Sequence, residues 1–226
     1  MAESTRRVAR DSHTVMVVGL GRFGSALALS LEELGHEVLG VDRSERRVQE
    51  YSGQIAHVVS ADATSMAALV SLGAKTLQHA VVAIGDDIES SVLCAAALVD
   101  IGIPDIWAKA NSAAHARILE RVGAHHVVFP EGEMGRRVAH QVTGQMIDYI
   151  EIDDNFALVE TRPPAKLIGK TLLESGIRSN FGVTVVSIKP LGGEYTYTTP
   201  DTVLGEGSVM LVAGPSASVE RFAMQR

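Results

Sequence analysis

The feature that most constrains the fold is a glycine-rich turn between an apolar run and a helical segment. The apolar run covers residues 15–18, Gly19, Gly21 and Gly24 follow in a G-x-G-x-x-G pattern, and residues 27–34 continue as a helix. Such glycines allow a tight turn, close approach of a phosphate and close packing of helix on strand. The pattern predicts a nucleotide-binding unit. The alternative is a turn that only packs a strand against a helix.

An acidic residue stands where nucleotide-binding units carry one. A second apolar run, residues 37–41, ends in Asp42, about twenty residues after the glycine turn. A carboxylate there bonds ribose hydroxyls and opposes the 2′-phosphate of NADP. The alternative is that Asp42 caps a helix over residues 44–51.

The first 130 residues repeat this strand–helix pattern. Apolar runs occupy residues 15–18, 38–41, 56–60, 80–84, 106–109 and 125–129, and helical segments occupy residues 25–34, 45–52, 65–72, 90–101 and 113–122. Strands that alternate with helices of this length predict an α/β fold, a Rossmann-like doubly wound parallel sheet with helices on both faces. Ligands of such sheets bind at the carboxyl ends of the strands.

Composition limits the class of protein. Hydrophobic residues make up 46% of the chain but aromatic residues only 4%, so the core is aliphatic, as in parallel sheets. The net charge of −7 argues against nucleic acid as a partner. The single cysteine, Cys94, cannot form an internal disulfide, which favours a reducing compartment and a buried structural role. Residues 1–13 are interpreted as a flexible tail, and no apolar run is long enough to span a bilayer.

Polar residues at the ends of the predicted strands are candidate ligand contacts. Arg22 follows the second glycine and faces the predicted anion site. Asp62 could reach a base or cap the helix of residues 65–72. Asp86 and Asp87 could lie near phosphate or metal or form a plain turn. Lys109 could offset phosphate or be solvated. His125 and His126 are neighbours on a strand and point to opposite faces, which disfavours a shared metal.

An apolar stripe follows the sixth strand. Its members recur every four residues and predict one helix over residues 131–150; they are Met134, Val138, Val142, Met146 and Ile150. The helix either packs on the chain's own sheet or is an exchange or dimer helix. The acidic residues Glu151, Asp153 and Asp154 then indicate a domain boundary. The predicted organisation is a nucleotide-binding domain over residues 14–134, a linker helix over 135–154 and a second domain over 155–226.

The second domain changes character. Residues 156–161, 183–189, 195–198 and 208–213 resemble strands, and residues 167–175 and 216–224 resemble short helices. Gly192 and Gly193 join two of the strands as a hairpin. The segment is predicted to be a small α+β module.

Seven motifs, in this order, carry a specific resemblance. They are GLGRFG, VDRS, SADAT, AIGDD, IWAKANS, GAHHVVFPEGEMGRRVA and IRSNFGVTVVSIKPLGG. Together they resemble RCK-type gating-ring subunits, the cytosolic regulators of bacterial Ktr and Trk potassium uptake systems, most of all the KtrA group. The resemblance covers nearly all of residues 15–222 and implies a nucleotide-binding N-lobe (TrkA-N) and a C-lobe (TrkA-C).

This resemblance implies a function that residue spacing does not show. It implies a cytoplasmic protein without enzymatic activity, peripheral at the inner face of the membrane. Homodimers would assemble into an octameric ring beneath a potassium-translocating subunit of the KtrB or TrkH kind. ATP would favour the active state and ADP the inactive state, and NAD(H) could also occupy the fold.

The resemblance also implies site residues. Those of the nucleotide site are Gly19, Gly21, Arg22, Phe23, Gly24, Asp42, Arg43, Ser44, Asp62, Ala63, Thr64, Ile84, Gly85, Asp86, Lys109, Ala110, Asn111, His115 and Glu131. Glu131 would hold Mg²⁺ or Ca²⁺ beside the terminal phosphate, and Arg22 would bind phosphate at the dimer interface. Arg178 and Pro200 would belong to a cyclic-di-AMP site in the C-lobe.

Two other classes of protein share the glycine pattern. An NAD-dependent oxidoreductase usually carries a substrate domain or a proton-transfer residue, yet no histidine follows His140 and no Tyr-x-x-x-Lys occurs. A redox-sensing transcription factor would need a DNA-reading helix and a basic face, which the net charge opposes. These classes remain the alternatives.

Overall fold

The computed structural model describes residues 11–142 and 146–225. The chain divides into two compact units, between Glu131 and Gly132. The first ten residues of the predicted tail lie outside the described residues. The last three residues of that predicted tail, residues 11–13, belong to a strand, because the first strand begins at Asp11.

The first unit alternates strands and helices as predicted. Its strands are β1 (Asp11–Val18), β2 (Glu37–Asp42), β3 (His57–Ser60), β4 (Leu77–Val82), β5 (Asp105–Lys109) and β6 (His126–Val128). Its helices are α1 (Arg22–Glu33), α2 (Glu45–Tyr51), α3 (Met66–Ser71), α4 (Ile88–Ile101) and α5 (Ala113–Val122). A 3₁₀ turn at Ala74–Thr76 precedes β4.

The six strands form one parallel sheet in the order β3-β2-β1-β4-β5-β6. This order is that of a doubly wound Rossmann sheet, so the predicted fold class is confirmed. The order reverses between β1 and β4, where Val18 lies between Val41 of β2 and Val82 of β4. A crevice for ligands opens at this reversal, above the carboxyl ends of the strands.

The core explains why the strands are continuous apolar runs. Met16 and Val18 of β1 belong to one buried cluster, and Val15 and Val17 belong to another. Successive side chains of a strand point to opposite faces. Because both faces of the sheet are buried at this half of β1, Val15 to Val18 are all apolar.

The predicted helix over residues 131–150 is wrong in its second half. Helix α6 covers Pro130–Val142, residues 143–145 lie outside the described part, and Asp148–Asp153 form strand β7. Tyr149 and Ile150 pair with β8 (Phe156–Thr161) in an antiparallel hairpin. Tyr149 is buried and its neighbour Ile150 is partly exposed, which is the alternation expected of a strand. The recurrence of apolar residues every four positions past Val142 is therefore a coincidence.

The acidic residues also have a different place from the predicted boundary. Glu151 and Asp153 lie within β7, and Asp154 lies in the turn that leads to β8. Strand β7 belongs to the sheet of the second unit, so these acids lie inside that unit.

The second unit is a small α+β module. Beside β7 and β8 it contains β9 (Thr184–Lys189), β10 (Thr196–Tyr197), β11 (Val209–Pro215), α7 (Leu172–Ser175), α8 (Ile177–Phe181) and α9 (Ser216–Ala223). The antiparallel sheet has the order β10-β9-β11-β8-β7. Gly192 and Gly193 lie between the paired strands β9 and β10, as predicted. Buried Phe222 of α9 packs edge-on against Phe181 of α8 and joins the helices to the core.

Gly24 provides a direct test of how α1 packs on β1. A Cβ atom on Gly24 would lie 1.8 Å from the carbonyl oxygen of Gly19 and 2.9 Å from the Cβ of Ala83. We therefore expect Gly24→Ala to lower the free energy of unfolding by roughly 3 kcal/mol or more, because backbone must shift. Urea unfolding followed by circular dichroism measures this.

Gly135 of α6 supplies the control for that substitution. Among the described residues, no atom beyond its chain and helix neighbours lies within 4 Å of its ideal Cβ position. Gly135→Ala should leave stability unchanged or raise it by up to about 1 kcal/mol, since alanine favours helix. Equal, small effects of the two substitutions would contradict the packing of α1.

Candidate functional site

Two glycines of the turn are required by the fold itself. Gly19 has a φ of +94°, which favours glycine, and its N–H donates to the carbonyl of Val41 at 2.7 Å. Gly24 meets Gly19 without room for a side chain. These two positions therefore explain the tight turn and the helix packing, without any ligand.

The third glycine is not required by the fold. Gly21 has a φ of −72°, and within the described part of the chain no atom beyond its neighbours lies within 4 Å of its ideal Cβ position. It precedes α1, whose first turn receives no side-chain cap from the described residues. Free N–H groups and the helix dipole favour an anion there. The structure therefore leaves open space beside Gly21, at a helix end that favours an anion.

Asp42 at the end of β2 is buried and joined to the glycine turn. Its Oδ2 accepts from the N–H of Leu20 at 2.7 Å and its Oδ1 accepts from the N–H of Ser44 at 2.8 Å. Arg47 of α2 donates to Oδ2 at 3.2 Å. A carboxylate has about four acceptor positions, so these bonds leave capacity for a ribose hydroxyl. The capping alternative for Asp42 is wrong, because the N-cap of α2 is Ser44.

These groups line one cleft at the carboxyl edge of the sheet, which holds about 960 Å³ of space that includes open solvent. Most of the predicted site residues line it: Gly19, Gly21, Arg22, Phe23, Asp42, Arg43, Asp62, Ala63, Thr64, Ile84, Gly85, Asp86, Lys109 and Glu131. The remaining ones are absent from its lining as described: Gly24, Ser44, Ala110, Asn111 and His115.

The sequence interpretation missed several lining residues, including Arg47 and Ser90. Arg47 has no motif of its own; its only signal is its place on the helix that follows Asp42. Asp87, which was predicted together with Asp86, lines the cleft; it also accepts from the N–H of Ser90 at 3.0 Å and caps α4.

Asp62 lies beyond Asp42 on the same edge. Its Oδ1 accepts from the N–H of Thr64 at 3.0 Å and from its hydroxyl at 2.7 Å. The hydroxyl bond of Thr64, with the backbone bond, lowers the pKa of Asp62. The helix-cap alternative is wrong here too, since the side chain of Ser65 caps α3. Asp62 is therefore a charged, preorganised acceptor beside the cleft.

At the opposite end of the cleft, Lys109 of β5 pairs with Glu131. The Lys109 Nζ lies 2.5 Å from the Glu131 Oε1, and the ring of Phe23 lies 6.0 Å from the same Nζ. The hydrogen bond from Lys109 lowers the pKa of Glu131. Arg22 adds positive charge nearby. This end of the cleft thus collects two cations and one carboxylate.

The same end of the cleft offers few protein ligands for a divalent cation. Among the described residues, no group of three or more acidic, histidine or cysteine side chains could hold a metal. Glu131 alone supplies one oxygen ligand. The residues therefore fit Mg²⁺ or Ca²⁺ only if the cation takes its other ligands from nucleotide phosphates and water, as Mg²⁺ commonly does.

Asn111 contacts Gly85 of the cleft lining, and His115 is bonded to Asn111. The Asn111 side-chain amide donates to the carbonyl of Gly85, and its backbone N–H donates to the Nδ1 of His115 at 3.4 Å. His115 is buried, and its Nε2 lacks a hydrogen-bond partner among the described residues. Burial lowers the pKa of His115. These residues support the wall that carries Gly85 and Lys109.

The adjacent histidines have separate partners. The Nδ1 of His125 accepts from the N–H of Ile106 at 3.0 Å, whereas the Nε2 of His126 lies 3.2 Å from the Oδ1 of Asp105. The two rings thus have different partners, on Ile106 and on Asp105. Cys94 is fully buried, and burial raises its pKa to about 12, in agreement with a structural role.

A second cavity of about 690 Å³ lies in the second unit. It brings together Arg178 of α8 and Pro200, which are far apart in the sequence. The backbone N–H of Leu173 donates to the carbonyl of Pro200 at 2.9 Å and holds the loop against α7. Apolar side chains such as Ile177 and Val185 complete the lining.

The chain matches two known domain families. The TrkA-N domain family matches residues 15–130, and the TrkA-C domain family matches residues 156–225. The chain belongs to the TrkA-N/TrkA-C family. The TrkA-N match contains the parallel sheet from Val15 onward and the glycine turn, and the TrkA-C match contains the second cavity.

Several proteins of the TrkA-N/TrkA-C family are similar over most of their length. The chain is 34% identical over 207 residues to Ktr system potassium uptake protein A of Bacillus subtilis (strain 168), covering 91% of this chain and 93% of that protein. It is 35% identical over 209 residues to protein C of the same organism, covering 91% and 94%. Protein A of Vibrio alginolyticus is 33% identical over 202 residues, covering 88% and 91%.

Solved structures agree with the fold of the family. The GsuK RCK domain superposes with a TM-score of 0.65 at 19% identity, covering 95% of this chain and 48% of that chain. The GsuK channel bound to NAD also has a TM-score of 0.65 at 19% identity, covering 95% and 40%. The chain thus spans half or less of those longer chains. In residues 11–142 and 146–225, every helix is too short or too polar to cross a membrane.

The burial of His115 should make the stability of the chain depend on pH. Because burial lowers its pKa, the imidazole should titrate below the usual value of about 6.5. The unfolded chain then binds the proton more tightly than the folded chain. The free energy of unfolding should therefore fall as the pH is lowered through the unfolded pKa, and the change should be complete below the folded pKa.

Two-dimensional ¹H–¹⁵N NMR of the imidazole nitrogens measures this titration. The neutral ring should carry its proton on Nε2, because Nδ1 accepts from Asn111. His115→Gln should remove this part of the pH dependence. A midpoint at or above 6.5, or a proton on Nδ1, would contradict the described wall.

Proposed function

We propose that the chain is a nucleotide-sensing regulatory subunit of a potassium uptake system and acts without catalysis. The observation that carries the proposal is the open space beside Gly21, between the uncapped α1 and the bonded carboxylate of Asp42. The names of the Ktr relatives support a role in potassium uptake. The net charge of −7 supports a partner other than nucleic acid.

The ligand we propose is an adenine nucleotide. Phosphate would lie over Gly21, ribose would meet Asp42, and the base would reach Asp62 and Ala63. These groups follow β1, β2 and β3, which are adjacent in the sheet, so an extended nucleotide would lie across neighbouring strand ends. The charge of Asp42 disfavours a ligand with a 2′-phosphate.

We propose that ATP favours the active state and ADP the inactive state. The two ligands differ in one phosphate, so only groups that contact this phosphate can give them different preferences for two states. Arg22, Lys109 and Glu131, the last through Mg²⁺ or Ca²⁺, would serve this role; that all three line the same cleft supports this assignment. A difference of about 1–3 kcal/mol per site, which is typical of allosteric coupling, would be sufficient.

Helix α6 supports a homodimer. Met134, Val138 and Val142 are 53%, 42% and 79% exposed and form one apolar stripe. The described part of α6 contains no buried residue. A partner subunit would cover this stripe, which favours the exchange or dimer interpretation. We propose that such dimers assemble into an octameric ring, cytoplasmic and peripheral at the inner membrane face, below a membrane potassium-translocating subunit.

NAD(H) is a competing ligand of the same cleft. The similar GsuK channel was solved with NAD, which supports this ligand class. If the chain were instead an oxidoreductase or redox sensor, NADH would bind more tightly than ATP and ADP. An oxidoreductase would also consume NADH with a substrate, seen as loss of its absorbance band. We expect no such consumption.

Gly21→Ala tests the proposed ligand site apart from folding. The added methyl group would occupy the space proposed for phosphate, so ATP and ADP affinity should fall at least tenfold. The free energy of unfolding should change by no more than about 1 kcal/mol, because replacing glycine by alanine at a helix N-cap costs roughly this much. Calorimetric titration and urea unfolding measure the two quantities. Unchanged affinity for both nucleotides would contradict the proposed site.

We further propose cyclic-di-AMP as a ligand of the second cavity. Arg178 supplies a cation for its phosphates, and Pro200 and Ile177 supply apolar contact. Arg178→Ala should abolish the heat of binding at high protein concentration, whereas Arg162→Ala, an exposed arginine outside the cavity lining, should preserve it. Absence of heat for the unmodified chain, or equal heat for both variants, would contradict this ligand.

A further inference from the structure

One ion pair crosses the nucleotide cleft. The Nη1 of Arg43 lies 3.2 Å from the Oδ2 of Asp87. Arg43 follows β2 directly, and Asp87 is the N-cap of α4, beyond β4. Both residues line the cleft. The pair therefore joins two separate walls of the same site.

The order of the strands defines what lies under this pair. Strand β1 lies between β2 and β4, so β2 and β4 are two strand spacings apart, about 10 Å. A link between the two strand ends must pass over the carboxyl end of β1. The glycine turn of Gly19 and Gly21 begins at that end. The Arg43–Asp87 pair thus spans the cleft above the proposed phosphate position.

The surrounding residues hold the side chain of Asp87 more firmly than that of Arg43. Asp87 is held in place, since its Oδ1 accepts from the N–H of Ser90 at 3.0 Å and its Oδ2 accepts from the Ser90 hydroxyl at 2.7 Å. The side chain of Arg43 is 75% exposed and ends a long flexible stem. Opening the pair therefore requires movement of Arg43 alone.

We propose that Arg43 and Asp87 form a clasp that retains bound nucleotide. The inference rests on the proposed function, since it takes the ligand to be an adenine nucleotide. An exposed ion pair contributes little free energy, so the clasp opens readily and cannot block binding. Its effect is on the rate at which nucleotide leaves, and salt weakens it.

Release of a fluorescent ADP tests the clasp. N-methylanthraniloyl-ADP bound to the full chain is displaced by excess ADP in a stopped-flow instrument. Arg43→Gln should increase the release rate two- to fivefold. Asp87→Asn should do the same, because asparagine keeps the N-cap of α4 and loses the charge. Higher salt should accelerate release from the unmodified chain and have less effect on either variant.

Two further variants distinguish loss of the Arg43–Asp87 ion pair from the general effect of removing a charge near the cleft. Arg46→Gln removes the same charge from α2 at a position outside the cleft lining, and its release rate should match that of the unmodified chain. The double variant Arg43→Gln/Asp87→Asn should release no faster than either single variant, since both remove one interaction.

Three outcomes would overturn the clasp. Equal release rates for all variants would refute it while leaving the proposed function intact. An effect of Arg43→Gln without one of Asp87→Asn, or additive effects in the double variant, would assign direct ligand contacts instead. If the probe fails to bind the unmodified chain at all, the proposed function and the clasp both fall.

Discussion

The close contact of Gly24 with the carbonyl of Gly19 is the constraint on which the site depends. It brings the first turn of α1 against the end of β1, with no room for a side chain. Leu20 then lies where its N–H bonds the buried carboxylate of Asp42. One backbone contact thus places the uncapped N-terminus of a helix, which favours an anion, beside a buried carboxylate.

The parallel sheet was predictable because its strands are buried on both faces. Residues such as Val15 to Val18 form short, continuous apolar runs that local sequence resolves well. The region after Val142 was not predictable in the same way. Ile150 fits both a helix with an apolar residue every four positions and a strand. The structure makes it a strand residue, because Ile150 pairs with Leu158 of the hairpin, and the spacing of apolar residues carries no information about that pairing.

The residues of the candidate site also differ in how well the sequence predicted them. Asp42 and the glycines belong to a pattern with regular spacing, so the sequence predicted them, and most of the predicted residues line one cleft. Arg47 and the Arg43–Asp87 pair depend on how separate elements meet at the sheet edge. His115 was named through the family resemblance; its ring is buried and its Nδ1 accepts from the N–H of Asn111, so it adjoins the cleft without lining it.

The central claim is that the cleft distinguishes ATP from ADP through groups near the terminal phosphate. Calorimetric titration of ATP, ADP and adenosine, in the presence of Mg²⁺, tests it most directly when the unmodified chain is compared with Arg22→Ala. The account predicts different affinities for ATP and ADP in the unmodified chain, and a smaller difference in the variant with adenosine binding retained. Equal losses for all three ligands would contradict it.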